Sequence, residues 1–220
     1  DISALPGDFW IRLFYFYPGG LNGRFLEAFQ ASSKVCRYID MPLQHLHPEV
    51  LHRMKRPHRE VKTLEALENL RMTIPDLALR TTFITGFPGE TEEQFNYMLE
   101  GARRLRFNRL GAFPFSEEEG TPSATMLDQI PRRVRKARYD SLMRAQQPIS
   151  LELNQAMVGK EIKVLVEAQI EEDQWVGRSE FDAPDVDGAV AIHSKESLRP
   201  GQFATVKVVA ADYYDLVAEV

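Results

Sequence analysis

The sequence of 220 residues contains a single cysteine, Cys36. One thiol excludes an internal disulfide, and it excludes any zinc or iron-sulfur centre whose cysteine ligands all come from this chain. Long hydrophobic runs are missing too. No apolar stretch approaches the roughly 20 residues of a membrane-spanning helix, and no signal peptide pattern stands at Asp1. A soluble, cytoplasmic protein without a membrane partner is therefore expected. The start at Asp1-Ile2-Ser3, without methionine, leads us to expect a piece of a longer protein. What is present is ample for folding: 44% of the residues are hydrophobic, and the length suits one large domain, or one medium and one small.

The rest of the chain is arranged around residues 79–91. Leu79-Arg80-Thr81-Thr82-Phe83-Ile84-Thr85 is a short β-branched and apolar run, as in a buried parallel strand, and Gly86-Phe87-Pro88-Gly89 turns it. Thr91 with Gln94 three residues on makes a capping box, Glu92 and Glu93 suit a first helical turn, and Phe95, Met98, Leu99 and Ala102 give a helical period. A strand that feeds a helix through a glycine-rich turn is expected to leave free backbone N–H groups at the carboxyl edge of a sheet, where α/β proteins hold ligands.

Before that stretch, an aromatic strand is predicted over residues 10–17, a helix over 23–32, a second strand over 38–44, a short helix from about Pro48 and a longer one from about Glu60 to Thr73. After it comes a strand over 110–116. Strands alternating with helices predict a parallel α/β layer, open or barrel-like, although four strands are too few to close a barrel. Residues 132–154 form a long, Arg- and Gln-rich helical segment with Pro148 as an expected kink or break. Beyond it the hydrophobic period becomes two, and about five short strands predict a small all-β, OB-like barrel. The expected domains are 1–150 and 151–220.

Charge is unevenly divided. From Gln155 onward, six Lys and Arg face thirteen Asp and Glu, about −7 against −5 for the whole chain. So acidic a barrel is a poor ligand for phosphates and a good one for a basic polypeptide. The alternative, that the acids merely solvate a small surface, stays open here. The histidines His45, His47, His52 and His58 cross a strand end, a loop and a helix, so no metal site is assigned to them. The run Arg53, Lys55, Arg56, His58 and Arg59 reads as a solvated helix end, and Cys36 as a small buried thiol before a strand.

Three segments together, Tyr38-Ile39-Asp40-Met41-Pro42-Leu43-Gln44-His45, residues 79–91 and Phe115-Ser116-Glu117-Glu118-Glu119-Gly120-Thr121-Pro122, resemble the later part of a radical S-adenosylmethionine methylthiotransferase. Residues 151–220 resemble its TRAM domain. Glu118-Glu119-Gly120-Thr121, and Gly177-Arg178-Ser179 followed by residues 182–188, are similar to the branch that methylthiolates an aspartate of ribosomal protein uS12. The resemblance implies a partial TIM-like parallel barrel followed by the TRAM barrel, S-adenosyl-L-methionine as cofactor, and two 4Fe-4S clusters whose cysteine ligands this chain lacks. It also implies that the chain, as a C-terminal portion, is inactive alone. The implied cofactor-binding residues are Gln44, Arg80, Thr82, Gly86, Phe87, Pro88, Gly89 and Glu90, with Arg80 either pairing the methionine carboxylate or closing a salt bridge inside the barrel. Glu118, Glu119, Asp182, Asp185 and Asp187 are the implied contacts to a basic substrate loop, on uS12 or elsewhere on the small ribosomal subunit. No catalytic side chain and no metal ligand is assigned. A tRNA methylthiotransferase, which would need a basic barrel face, and a non-enzymatic binding module remain as alternatives.

Overall fold

The computed structural model describes residues 2–56 and 63–220. His58, Arg59, Glu60 and Val61, parts of the expected basic run and of the helix expected from about Glu60 to Thr73, lie outside the described residues. Four strands, β1 (Ile11–Leu13), β2 (Val35–Asp40), β3 (Ala78–Thr85) and β4 (Arg109–Pro114), are neighbours in chain order in one sheet. β3 and β4 run parallel, in register from Arg80 opposite Arg109 to Thr85 opposite Pro114. Between them lies α4 (Glu92–Leu105), and before β3 come α1 (Gly23–Gln30), α2 (Pro48–Arg53) and α3 (Thr63–Thr73). The long helix α5 (Arg132–Gln155) follows β4.

Local rules account for most of these boundaries. Thr91 caps α4 with both bonds of the expected capping box, and Phe95, Met98, Ala102 and Leu105 are the apolar face that it buries. Two strands differ most from expectation, while the helix over 23–32 and the strand over 110–116 each end two residues early. β1 is only three residues long, because Tyr15 takes a left-handed φ of 55° and gives its N–H to Asp40 Oδ2 at 3.2 Å. β2 starts at Val35 and ends at Asp40 rather than spanning 38–44. Beyond it Pro42 has no N–H for a ladder, yet the chain stays against β3 through the Met41 N–H to Arg80 O (2.9 Å) and a bridge between Gln44 and Phe83. Pro148 does not break α5, which continues through it to Gln155.

The second half closes into a barrel of five strands, β5 (Glu161–Glu171), β6 (Gln174–Ser179), β7 (Val190–His193), β8 (Phe203–Ala211) and β9 (Leu216–Glu219), in the order β5-β6-β7-β9-β8. β7 and β9 are parallel and the other pairs antiparallel. Alternate residues point inward, so Ile162, Val164, Val166, Trp175, Val190, Ile192, Val206, Val208, Leu216 and Ala218 fill the interior, and closure leaves no free edge. Gly188 is required for steric reasons: a Cβ there would collide with the carbonyl oxygen of Tyr214.

The compact units do not follow a single cut at residue 150. One consists of 1–13, 30–38 and 147–220, the other of 14–29 and 39–146. Side-chain chemistry within the first unit explains why the early residues join the barrel. Arg12 Nη1 donates to Glu180 O (2.6 Å), the Arg37 N–H to Glu180 Oε2 (2.8 Å) and the Tyr38 hydroxyl to Asp187 Oδ2 (2.7 Å), while Trp10 packs edge-on to Phe203 with centroids 4.8 Å apart. Sequence periodicity reports elements but not which of these long-range bonds form.

Candidate functional site

At the carboxyl ends of β3 and β4 lies a cavity of about 750 Å³, within the ~300–1,000 Å³ range of small-molecule sites. Ile84, Phe87, Phe113, Phe115, Met54 and Met126 give it an apolar wall. Gln44 and Thr82 line it from the strand side, Ser116, Glu118, Thr121 and Ser123 from the segment after β4, and Arg53, Lys55 and Arg56 from the end of α2.

The glycine N–H groups of the turn that announces this region are already paired. Gly86 (φ 74°) gives its N–H to the Glu90 carboxylate, Gly89 (φ 75°) gives its own to Asp128 O (2.8 Å), and the Glu90 N–H goes to Phe87 O (2.9 Å). The expectation of free N–H groups in the turn from Gly86 to Gly89 is thus corrected at Gly86 and Gly89: N–H groups in a turn buried under α5 need acceptors within the protein. A Cβ on Gly86 would run into Arg135 Cγ and lie 3.1 Å from Arg135 Cα, so the glycine serves packing against α5. Phe87 alone of this turn lines the cavity, and Pro88 is buried beside it.

Glu90 is buried among charges. Its Oε2 stands 3.3 Å from Arg138 Nη1, and its Oε1 stands 3.6 Å from Nε2 of the fully buried His45. His45 Nδ1 accepts the His47 N–H at 2.9 Å, so its proton sits on Nε2, facing Glu90. Burial lowers the His45 pKa below its usual value of 6.5, and Glu90 opposes that shift in part. Arg80 takes the second of its two expected roles: its Nη1 binds Asp40 Oδ1 at 2.8 Å, which holds it in a salt bridge rather than aimed at a ligand carboxylate.

The end of α2 is the feature that sequence reasoning missed. The Arg56 N–H bonds Leu51 O (3.0 Å) and the Lys55 N–H bonds His52 O (2.9 Å), the pairing of a Schellman motif. Its left-handed position, normally a glycine, is Lys55 at φ 54°. That conformation costs a side-chain-bearing residue about 1–2 kcal/mol. Arg53 is anchored to Gly89 O (3.1 Å) and Gln94 Oε1 (2.8 Å), and Arg56 to Pro42 O (3.2 Å); the ammonium of Lys55 has no acid partner among the described residues. A helix end without glycine or asparagine was the signal available in the sequence.

Of the acids expected to meet a substrate, Glu118 lines the cavity and Glu119 is exposed next to it in the chain. In the barrel, Asp185 is exposed, but Asp182 is buried and accepts the Ser179 hydroxyl (2.6 Å), and Asp187 accepts the Tyr38 hydroxyl and the Ala183 N–H (2.9 Å). Asp182 and Asp187 are therefore corrected from partner contacts to internal acceptors, Asp182 within its own loop and Asp187 between that loop and Tyr38.

Two implied groups are tested differently by these residues. The cavity's size, apolar wall, amide and hydroxyl groups and cations match the adenosine and amino-acid parts of S-adenosylmethionine. An iron-sulfur cluster does not fit this chain: Cys36 is buried in β2, and burial pushes its thiol up to about 11 despite the opposing charge of Arg12. Among the described residues no three His, Cys, Asp or Glu side chains gather for a metal.

Comparison with known proteins agrees with this architecture. Residues 2–102 match the radical SAM superfamily and residues 158–220 the TRAM domain. The chain is 48% identical over 219 residues to the ribosomal protein uS12 methylthiotransferase RimO of Carboxydothermus hydrogenoformans, covering 99% of this chain and 50% of that protein. It is 46% identical over 220 residues to the RimO of Desulfitobacterium hafniense, covering 100% of this chain and 49% of that one. The chain thus spans about half the length of these curated relatives. Among solved structures, Escherichia coli coproporphyrinogen III oxidase HemN, a radical SAM enzyme, matches with a TM-score of 0.50 at 17% identity, over 69% of this chain and 34% of that one, which bears on the fold alone.

Proposed function

Because the chain belongs to the radical SAM methylthiotransferases of the RimO type, as a segment about half their length, we propose that it supplies the S-adenosylmethionine-facing wall and the TRAM barrel of an enzyme that methylthiolates an aspartate of ribosomal protein uS12. The cavity at the ends of β3 and β4 carries this reading. Ligands of parallel α/β sheets lie at that edge. S-adenosylmethionine, when bound, supplies the methyl group and the radical chemistry of the family. The residues of this chain do the holding. Phe87, Phe113 and Phe115 shield the ligand from water, Gln44 and Thr82 offer hydrogen bonds to its polar edges, and Lys55 with Arg56 offers positive charge to a carboxylate. Gly86, Pro88, Gly89 and Glu90 act one step back, by fixing the turn that carries Phe87. The two 4Fe-4S clusters belong to parts of the enzyme other than this chain.

Substrate recognition is divided in the same way. Glu118 at the cavity, Glu119 beside it in the chain, and the exposed Glu171, Glu172, Asp173 and Asp185 of the barrel present negative charge to a basic polypeptide such as a ribosomal protein. The described residues contain no helix long and apolar enough to cross a membrane, and we place the enzyme in the cytoplasm, where ribosomes are.

The test is a chromosomal Thr82→Trp substitution, which fills the cavity from β3, followed by mass spectrometry of uS12 and of tRNA nucleosides. Loss of the methylthio group from uS12 with tRNA unchanged is the expected result. Unchanged uS12, or loss confined to tRNA, would overturn the assignment.

A further inference from the structure

The charged first turns of α5 are not absorbed by the site above. A second cavity, of about 780 Å³, is lined by the end of β4 and the segment after it (Pro114, Phe115, Ser116, Glu117) and by Arg132, Arg133, Arg135, Lys136 and Tyr139 of α5. Its only acid, Glu117, is already paired with Arg135 at 2.6 Å. Arg135 is buried and committed further, to Ile130 O (2.6 Å) and Phe115 O (3.0 Å), so it builds the wall. Arg132 and Arg133 are exposed and have no acid partner among the described residues. Lys136 is exposed and shares only the surface carboxylate of Asp140, at 3.0 Å.

These cations stand where local physics disfavours them. The first turn of α5 holds no acid, although the helix dipole favours negative residues there and penalises positive ones. Arg132 with Lys136 and Arg133 with Lys136 are also like-charged neighbours at helical spacing, which repel. A chain of net charge −5 thus concentrates four cations against one lining acid in this cleft, two of them, Arg132 and Arg133, without an acid partner among the described residues. We infer that this cleft binds the phosphodiester backbone of RNA. Arg132, Arg133 and Lys136 neutralise neighbouring phosphates along one helix face, and Tyr139 offers a ring edge or face to a base. An extended polyanion suits three exposed cations lacking a closed polar pocket, whereas a single small anion would call for converging donors. The inference rests on the proposed function only for the source of the RNA, since uS12 sits in an RNA-rich particle.

The test is fluorescence anisotropy of a labelled single-stranded RNA of about twelve nucleotides, titrated with the 220-residue chain at several salt concentrations. Replacing the three cations together (Arg132→Gln, Arg133→Gln, Lys136→Gln) is expected to weaken binding at least tenfold. The slope of log affinity against log salt should fall by about 2, from three contacts at ~0.7 each. The melting temperature should hold or rise, which separates lost binding from lost folding. A control with the same change of charge on the barrel (Lys195→Gln, Arg199→Gln, Lys207→Gln) should leave the slope in place. RNA binding that is absent in the parent chain, unchanged in the α5 variant, or displaced by inorganic phosphate at equal phosphate concentration would overturn the inference. S-adenosylhomocysteine binding, measured in parallel on the same variant, stays unchanged if only this inference fails.

Discussion

Two turns of the α/β unit use left-handed backbone in opposite ways. In residues 86–90 the positive φ angles fall on Gly86 and Gly89, and their N–H groups are consumed by Glu90 within the turn and by Asp128 outside it. At the end of α2 the positive φ falls on Lys55, which carries a long charged side chain into the cavity wall. The glycine turn obeys local preference and serves packing; the lysine turn violates it and faces the cavity. A positive φ on a side-chain-bearing residue also occurs at Tyr15, Arg106 and Asp185, away from the cavity; Lys55 and Gln44 are the two such residues that line it.

The comparison breaks first at Glu90. Glu90→Ala removes the acceptor of the Gly86 N–H and the carboxylate that faces His45 and pairs with Arg138, and loss of one member of a buried ion pair costs about 3–5 kcal/mol. Urea unfolding should show that loss; a change under 1 kcal/mol would mean that the turn holds itself without Glu90. Gly86→Ala comes next, at about 2–4 kcal/mol, from a disfavoured φ and overlap with Arg135. Lys55→Gly should do the reverse, raising stability by about 1 kcal/mol as strain is relieved. It should also weaken S-adenosylhomocysteine binding about tenfold while sparing methylthioadenosine, which has no carboxylate. Equal loss for both ligands, or for neither, would separate Lys55 from the carboxylate.

The smallest effect concerns pH. His45 has a folded-state pKa below 6.5, so it stays neutral in the native protein while the unfolded chain takes up a proton as pH falls. Its contribution is complete above pH 6.5 and is lost as pH drops from there toward the folded value. His45→Gln should accordingly flatten the stability curve in that interval. Parallel curves for parent and variant would show that the native histidine is not held neutral by burial.

Much of the scaffold was legible in the chain. The capping box at Thr91 and Gln94, the apolar period of α4 and the alternation of β5 to β9 are local patterns, and each appears where the residues place it. Boundaries set by single distant bonds were not legible. Tyr15 ending β1 through Asp40, and Arg12 and Tyr38 joining the barrel unit, depend on partners 25 to 168 residues away. For the site, Gln44, Thr82, Phe87 and Glu118 do line the cavity, because strand ends and the segment after β4 can be located from sequence. Arg80 and Asp182 could not be resolved, since a charged side chain reads the same whether it faces a ligand or a buried partner. Lys55 and Arg56 were hidden by the opposite ambiguity: a basic helix end looks solvated until the fold places a cavity beside it.

The most direct test of the central claim is calorimetric titration of the 220-residue chain with S-adenosyl-L-homocysteine, beside its Thr82→Trp variant. The cavity at the ends of β3 and β4 predicts saturable one-to-one binding that the tryptophan abolishes without unfolding the chain. Absence of binding in the parent, or equal binding in the filled variant, would contradict it.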